Sequence, residues 1–211
     1  MSDIGQVFDH WVESGRAATM TDGHQFSAAL GFEALDIGRT HQALDIGCGL
    51  GYAVEWMAQS ALDGKVVGVD LSSNMIAASR ERCAQLRNTE FICGEFPGAV
   101  DGVVFDRIFS VEALYYSQNL RQTLNDVYSR LRSGGRFVTV IDFYRENAAC
   151  HNWSERVGVP LTLWSIEEWA QQLVQIGFIN VNATQHPHPA GPNTAEWQEN
   201  VGSLLIVADK T

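Results

Sequence analysis

The sequence predicts an α/β fold: a doubly wound, mostly parallel sheet, an antiparallel strand near the C-terminus, and helices ahead of the first strand. Three observations predict it. Short apolar runs alternate with helix-length segments from about residue 40 to residue 142. The first run breaks on closely spaced glycines, Gly47, Gly49 and Gly51. The length, 211 residues, suits one such domain with a core of its own.

Residues 3–19 place Ile4, Val7, Phe8, Trp11 and Val12 at helical spacing. Residues 22–36 form a second helix, with Thr21 or Asp22 as its cap. Residues 43–46 are a short strand stopped by Gly47, and 51–62 a helix. Residues 65–69 are a second strand ending at Asp70, followed by a helix over 73–87 capped by Ser72 or Ser73. Residues 89–93 and 103–110 are strands three and four, and 118–131 a helix. Gly134 and Gly135 turn the chain into a fifth strand, 136–142. A polar and aromatic stretch, 143–164, comes next. Ser165 and Glu168 have the spacing of a capping box for a helix to about 176. Residues 178–186 and 201–208 read as a closing antiparallel pair.

Composition narrows the function classes. With 14 basic and 25 acidic residues, the net charge is −11, which argues against nucleic acid as the main partner. The cysteines, Cys48, Cys83, Cys93 and Cys150, have no metal-site spacing and read as free thiols of a reducing compartment. The first residues lack the pattern of a signal peptide, and no apolar run reaches membrane-spanning length. A cytoplasmic protein without a membrane partner is therefore expected. His186-Pro187-His188-Pro189 reads as a stiff loop, and no metal is expected.

The chemistry centres on Leu44-Asp45-Ile46-Gly47-Cys48-Gly49-Leu50-Gly51, where a strand ends and a helix begins. Its G-x-G-x-G spacing differs from the dinucleotide fingerprint, and no basic residue stands nearby for phosphate. Asp70, at the end of strand two, is placed to accept both hydroxyls of a ribose, with Leu71 against an adenine face.

These segments resemble the class I S-adenosylmethionine-dependent methyltransferases over roughly residues 40–142. The first two motifs match 44–51 and 67–71; Gly94-Glu95-Phe96, residues 105–110 and residues 131–136 follow in the family's order. Glu95 stands where Asp is commoner. The resemblance implies one Rossmann-like methyltransferase domain over 1–211: a helical lid (1–38), a cofactor core (40–142), a substrate-pocket insert (143–164) and a closing helix with strands (165–211). It implies S-adenosylmethionine as cofactor, leaving as S-adenosylhomocysteine. Gly47 and Gly49 would approach its methionine part and Asp45 its amino group; Asp70 would bind the ribose, with Leu71 on the adenine face; Gly94, Glu95 and Phe96 would sit at the adenine, Glu95 meeting its amine; Ser110, Val111 and Glu112 would lie beside the sulfonium; and Cys48, Gly51 and Met75 would also belong to the cofactor site.

Methyl transfer needs an aligned acceptor and sometimes a base. Arg16, Met20, Tyr115, Tyr116, Tyr144, Asn147, His151 and Trp153 are the candidate acceptor-binding residues, and His24, Tyr116 and His151 the candidate catalytic ones. Trp11 and Phe26 are further lid candidates. The expected partner is a small molecule, methylated on O, N or C by a monomer or homodimer. The alternatives are a methyltransferase of RNA or protein, a non-catalytic cofactor-binding module, and a nucleotide-dependent oxidoreductase. Ser-Val-Glu-Ala after strand four is not the Asn-Pro-Pro-Tyr type used on planar bases.

Overall fold

The computed structural model describes residues 3–192 and 194–211, the side chains of residues 3, 18 and 20–22 excepted. Two helices, α1 (Asp3–Glu13) and α2 (Arg16–Leu35), precede β1 (Gln42–Ile46). Then come α3 (Tyr52–Ser60), β2 (Lys65–Asp70), α4 (Ser73–Arg82), β3 (Thr89–Cys93), β4 (Phe105–Val111), α5 (Leu120–Arg130) and β5 (Leu131–Ile141). The chain ends with α6 (Trp153–Val157), α7 (Ile166–Ile176), β6 (Ile179–His186), α8 (Glu196–Asn200) and β7 (Ser203–Asp209).

The strands form one sheet in the order β3-β2-β1-β4-β5-β7-β6. β1 to β5 pair in parallel, whereas β7 lies between β5 and β6 and is antiparallel to both. This is the expected Rossmann-like α/β architecture. The central strands are buried on both faces, which is why they read as unbroken apolar runs. On one face Leu44, Ile108 and Phe137 pack against Leu124 and Val127 of α5 and Trp169 and Leu173 of α7. On the other, Ala43, Val66, Phe109 and Val140 pack against Leu35 of α2, Val54 and Met57 of α3, and Ile76 of α4. The connections leave β1 and β4 toward opposite edges, so a crevice opens outside their carboxyl ends.

Several boundaries moved for identifiable reasons. The break between the first two helices falls at Gly15, whose φ of +76° suits glycine; α2 runs through Thr21 and Asp22, which are not its cap. The helix expected over 73–87 stops at Arg82, because the chain must turn so that Asn88 can donate to the last carbonyls of α3, at Ala58 and Ala61. β5 begins early, at Leu131, since Leu131 pairs with Phe105 across a bulge. The capping box at Ser165 and Glu168 is present. The short helices α6 and α8 were not expected; five residues are too few for a periodic pattern.

Candidate functional site

The glycine segment is built from β1 outward. Gly47 and Cys48 donate their backbone N–H groups to the Val69 carbonyl, at 2.8 and 3.0 Å, which turns the chain over the end of β2. Gly47 has φ +74°, and a Cβ there would collide with that of Ala113. Gly49 also has positive φ, +50°, but a Cβ on it would meet nothing within 4 Å. Its bare face fronts a cavity, which is where a backbone can approach a ligand closely.

Asp70 fastens this turn. One carboxylate oxygen accepts from the Gly49 N–H and the other from the Ser72 N–H, both at 2.9 Å. Each oxygen keeps a second lone pair for a ligand. Asp45 lies beside it at the floor of the same cavity, 2% exposed. Burial, and then the neighbouring Asp70, pushes the Asp45 carboxyl up to about 8. Burial also raises Asp70.

The cavity continues past β4. Leu71 and Met75 line it, with Gly94, Glu95 and Phe96 after β3 and Val111, Glu112, Leu114 and Tyr116 after β4. Helix α1 covers this end with Ile4, Phe8 and Trp11, and His24 enters from α2. The Phe8 ring meets Trp11 and Tyr116 edge-on, with centroids 4.8 and 5.1 Å apart. The helix is held down by Asp9, whose carboxylate accepts from the Ser72 hydroxyl at 2.6 Å and the Asn74 N–H at 3.0 Å. No lysine or arginine is among the described residues that line the cavity.

Residues 43–135 match the family model described as a methyltransferase domain. They hold the glycine turn, its Asp70 clamp and the segment after β4. Over this segment, somewhat under half of its length, the chain is similar to the class I S-adenosylmethionine-dependent methyltransferases. It is 34% identical over 100 residues to demethylmenaquinone methyltransferase of Symbiobacterium thermophilum, covering 45% of this chain and 40% of that protein. It is 24% identical over 137 residues to methyltransferase GfsG of Streptomyces halstedii, covering 62% of this chain and 48% of that protein. The chain thus spans less than half the length of these curated relatives. Among solved structures, it aligns with a complex between the Haloferax volcanii Trm112 methyltransferase activator and a methyltransferase. That match has 25% identity and a TM-score of 0.85, over 96% of each chain.

Other residues expected at this site stand off the cavity. Gly51 starts α3 with φ +78° and faces Ser79 of α4. The Ser110 hydroxyl is buried and donates to the Ile46 carbonyl, tying β4 to β1. Tyr115 turns its hydroxyl to Glu112, at 2.8 Å, and its ring to Phe143. Arg16 lies outside Trp11, its guanidinium 4.0 Å from the ring centre. Phe26 packs on His188. The side chain of Met20 lies outside the described residues.

The 143–164 stretch does not supply the cavity wall expected of it. Tyr144 is buried and donates to the Gly202 carbonyl. Asn147 is buried and donates to the Asp142 carbonyl. Trp153 stacks on Phe143 and meets Trp197. His151 is exposed, its Nε2 2.8 Å from the Arg145 carbonyl. The aromatic side chains extend the core beneath β7 instead. Conversely, Tyr52 lines the cavity without having been singled out; its place directly after the last glycine of the turn was the available signal.

The raised Asp45 gives a stability prediction. The unfolded chain releases this proton near 3.8, whereas the folded chain holds it to about 8. The stability that this group contributes is therefore complete at low pH and is lost as pH climbs to 8, by at most ~1.4 kcal/mol per pH unit. Asp70, Cys48 and Tyr52 face Asp45, and Asp70 adds in the same direction. His24, His41 and His188 are lowered by burial and act below the usual histidine range, so pH 7 to 8 isolates the acids. The ligand-free melting temperature should fall from pH 7 to pH 8, and Asp45→Asn should flatten the fall. A wild-type melting temperature that holds level would reject the assignment.

Proposed function

We propose that this chain transfers the methyl group of S-adenosylmethionine to a small molecule. One observation carries the reading: a single cavity runs from the glycine turn and Asp70 to Tyr116, Glu112 and His24, under the aromatic residues of α1. The donor side fits the cofactor by its own chemistry. Gly49 leaves open space where a side chain would stand, and the described lining, acidic and without lysine or arginine, favours a cation over a phosphate. Gly47, Cys48 and Gly49 would meet the methionine part, Asp45 its amino group, Asp70 the ribose hydroxyls, and Glu95 the adenine amine. Leu71, Met75 and Phe96 offer apolar contact to the base.

The bound cofactor supplies a methyl group already activated by positive sulfur. The chain's work is to hold the acceptor in line and keep water away. Phe8, Trp11 and Tyr116 do the second; Tyr116 and His24 present polar groups on the acceptor side, and Val111 and Glu112 close the floor. A small acceptor is favoured because α1 roofs the cavity, and the net charge of −11 disfavours nucleic acid. No helix among the described residues is long and apolar enough to cross a membrane.

The test is calorimetry with S-adenosylhomocysteine, followed by methyl transfer from S-adenosylmethionine to a metabolite extract. Saturable binding with a methylated small product is expected. Binding without turnover would mark a non-catalytic module, and tighter binding of NAD would revive the oxidoreductase. A partner deserves its own arm, because the aligned methyltransferase was solved with the Trm112 activator. Turnover that requires a co-purified activator of that type would place this chain in a heteromeric enzyme, rather than the monomer or homodimer expected from sequence.

A further inference from the structure

Behind the acceptor end of the cavity, three side chains from distant parts of the chain converge. His24 comes from α2, Glu112 from the end of β4, and Asp142 from the end of β5. One ligating atom of each lies within 4.8 Å of the others. Asp142 is 1% exposed, and its Oδ2 has no hydrogen-bond partner among the described residues. The closest basic atom is His24 Nε2, 3.8 Å away, too far for a hydrogen bond. A simple imidazole–carboxylate pair would close that gap to under 3.2 Å.

The outer contacts fix these groups in place. The Ser203 hydroxyl donates to Asp142 Oδ1 at 2.5 Å. That single hydroxyl proton being spent, His188 Nε2 donates to the serine oxygen, at 2.9 Å. Asp142 Oδ2 is thereby left facing His24. Glu112 accepts from the Asp142 N–H at one oxygen and from the Tyr115 hydroxyl at the other. Its remaining lone pairs stay available. Hydrogen-bonded supports behind inward-facing donors are how metal ligands are held. Two carboxylates side by side, Asp142 buried and Glu112 half-buried, also call for a positive charge between them.

The geometry points to a divalent-cation site formed by His24, Glu112 and Asp142. One imidazole and two carboxylates suit Mn²⁺, Fe²⁺ or Zn²⁺. Donors this close need only small adjustments to reach bonds of about 2.0–2.2 Å. The site reverses the sequence expectation of no metal and makes His24 a ligand in place of a free base. Resting on the methyl-transfer reading, the substrate class follows. His24 and Glu112 line the cavity, so the ion's open positions would take a hydroxyl or carboxylate oxygen of the acceptor, whose charge no described lysine or arginine there could balance.

The experiment titrates the purified full chain with Mn²⁺, read by electron paramagnetic resonance, with Zn²⁺ as competitor. One ion per chain is expected. Asp142→Asn, Glu112→Gln and His24→Ala should each weaken binding at least ~10-fold. His10→Ala, which removes an exposed imidazole on α1, should leave it unchanged. S-adenosylhomocysteine affinity and circular dichroism are measured on the same samples. A chain that binds the ion but not S-adenosylhomocysteine would remove the methyl-transfer reading and leave the metal site standing. Absence of saturable binding in the wild type, or equal affinity in all variants, overturns the site. So does a variant set that binds no ion yet loses S-adenosylmethionine affinity more than S-adenosylhomocysteine affinity; the two carboxylates would then serve the sulfonium. Should Asp142→Asn fail to fold, His24→Ala decides the question.

Discussion

Replacing Gly47 by alanine should cost the chain both stability and cofactor binding. Two penalties coincide there. A φ of +74° costs a Cβ-bearing residue ~1–2 kcal/mol. The added methyl also runs into the Ala113 Cβ, and overpacking of that kind costs ~1–3 kcal/mol. The sum is a large part of the stability of an ordinary domain. Relief has to come from moving either the glycine turn or the segment after β4, and both line the cavity. Thermal melts and S-adenosylhomocysteine titration would read the two effects. The double variant Gly47→Ala with Ala113→Gly removes the collision and keeps the backbone strain, so it should regain part of the stability. A double variant no better than the single one would mean that the collision is not what limits this position.

The half of the cavity around the glycine turn was legible in the sequence because its information is local. Gly47 and Gly49 fall within three residues, and Asp70 sits at the end of the next strand. Parallel pairing of β1 with β2 then brings them together: Ile46 pairs with Val69, which sets Gly47 against Asp70. Glu95, Val111 and Glu112 follow by the same logic, each at or just past a strand end. The half beyond β4 was not legible. Tyr144, Asn147 and Trp153 looked like a pocket by composition. The direction of Tyr144 and Trp153 depends on Gly202 and Trp197, which only the antiparallel return of β7 and the short α8 place beside them, while Asn147 turns back to the Asp142 carbonyl. His24 and Asp142 show the same gap from the other side: each is ordinary in its own segment, and only the packing of α2 across the sheet makes them neighbours. Gly51 was misplaced for a subtler reason. It shares the spacing of the turn but is the cap of α3, and its bare face meets Ser79.

Asp70→Ala is expected to weaken S-adenosylhomocysteine binding by ~100-fold, the equivalent of two hydrogen bonds to a charged acceptor. The difficulty in reading such a loss is that Asp70 has two jobs. It fastens the Gly49 and Ser72 N–H groups, so its removal loosens the turn even if it never touches a ribose. A thermodynamic cycle separates the jobs. Affinities of wild type and variant are measured for S-adenosylhomocysteine and for an analogue lacking both ribose hydroxyls. If the carboxylate holds those hydroxyls, deleting them from the ligand should hurt the wild type strongly and the variant little, because the interaction is already gone. If Asp70 only braces the turn, the two losses will add. Full additivity, with the variant folded by circular dichroism, would withdraw the ribose from Asp70 and leave it a purely positioning residue of the glycine turn.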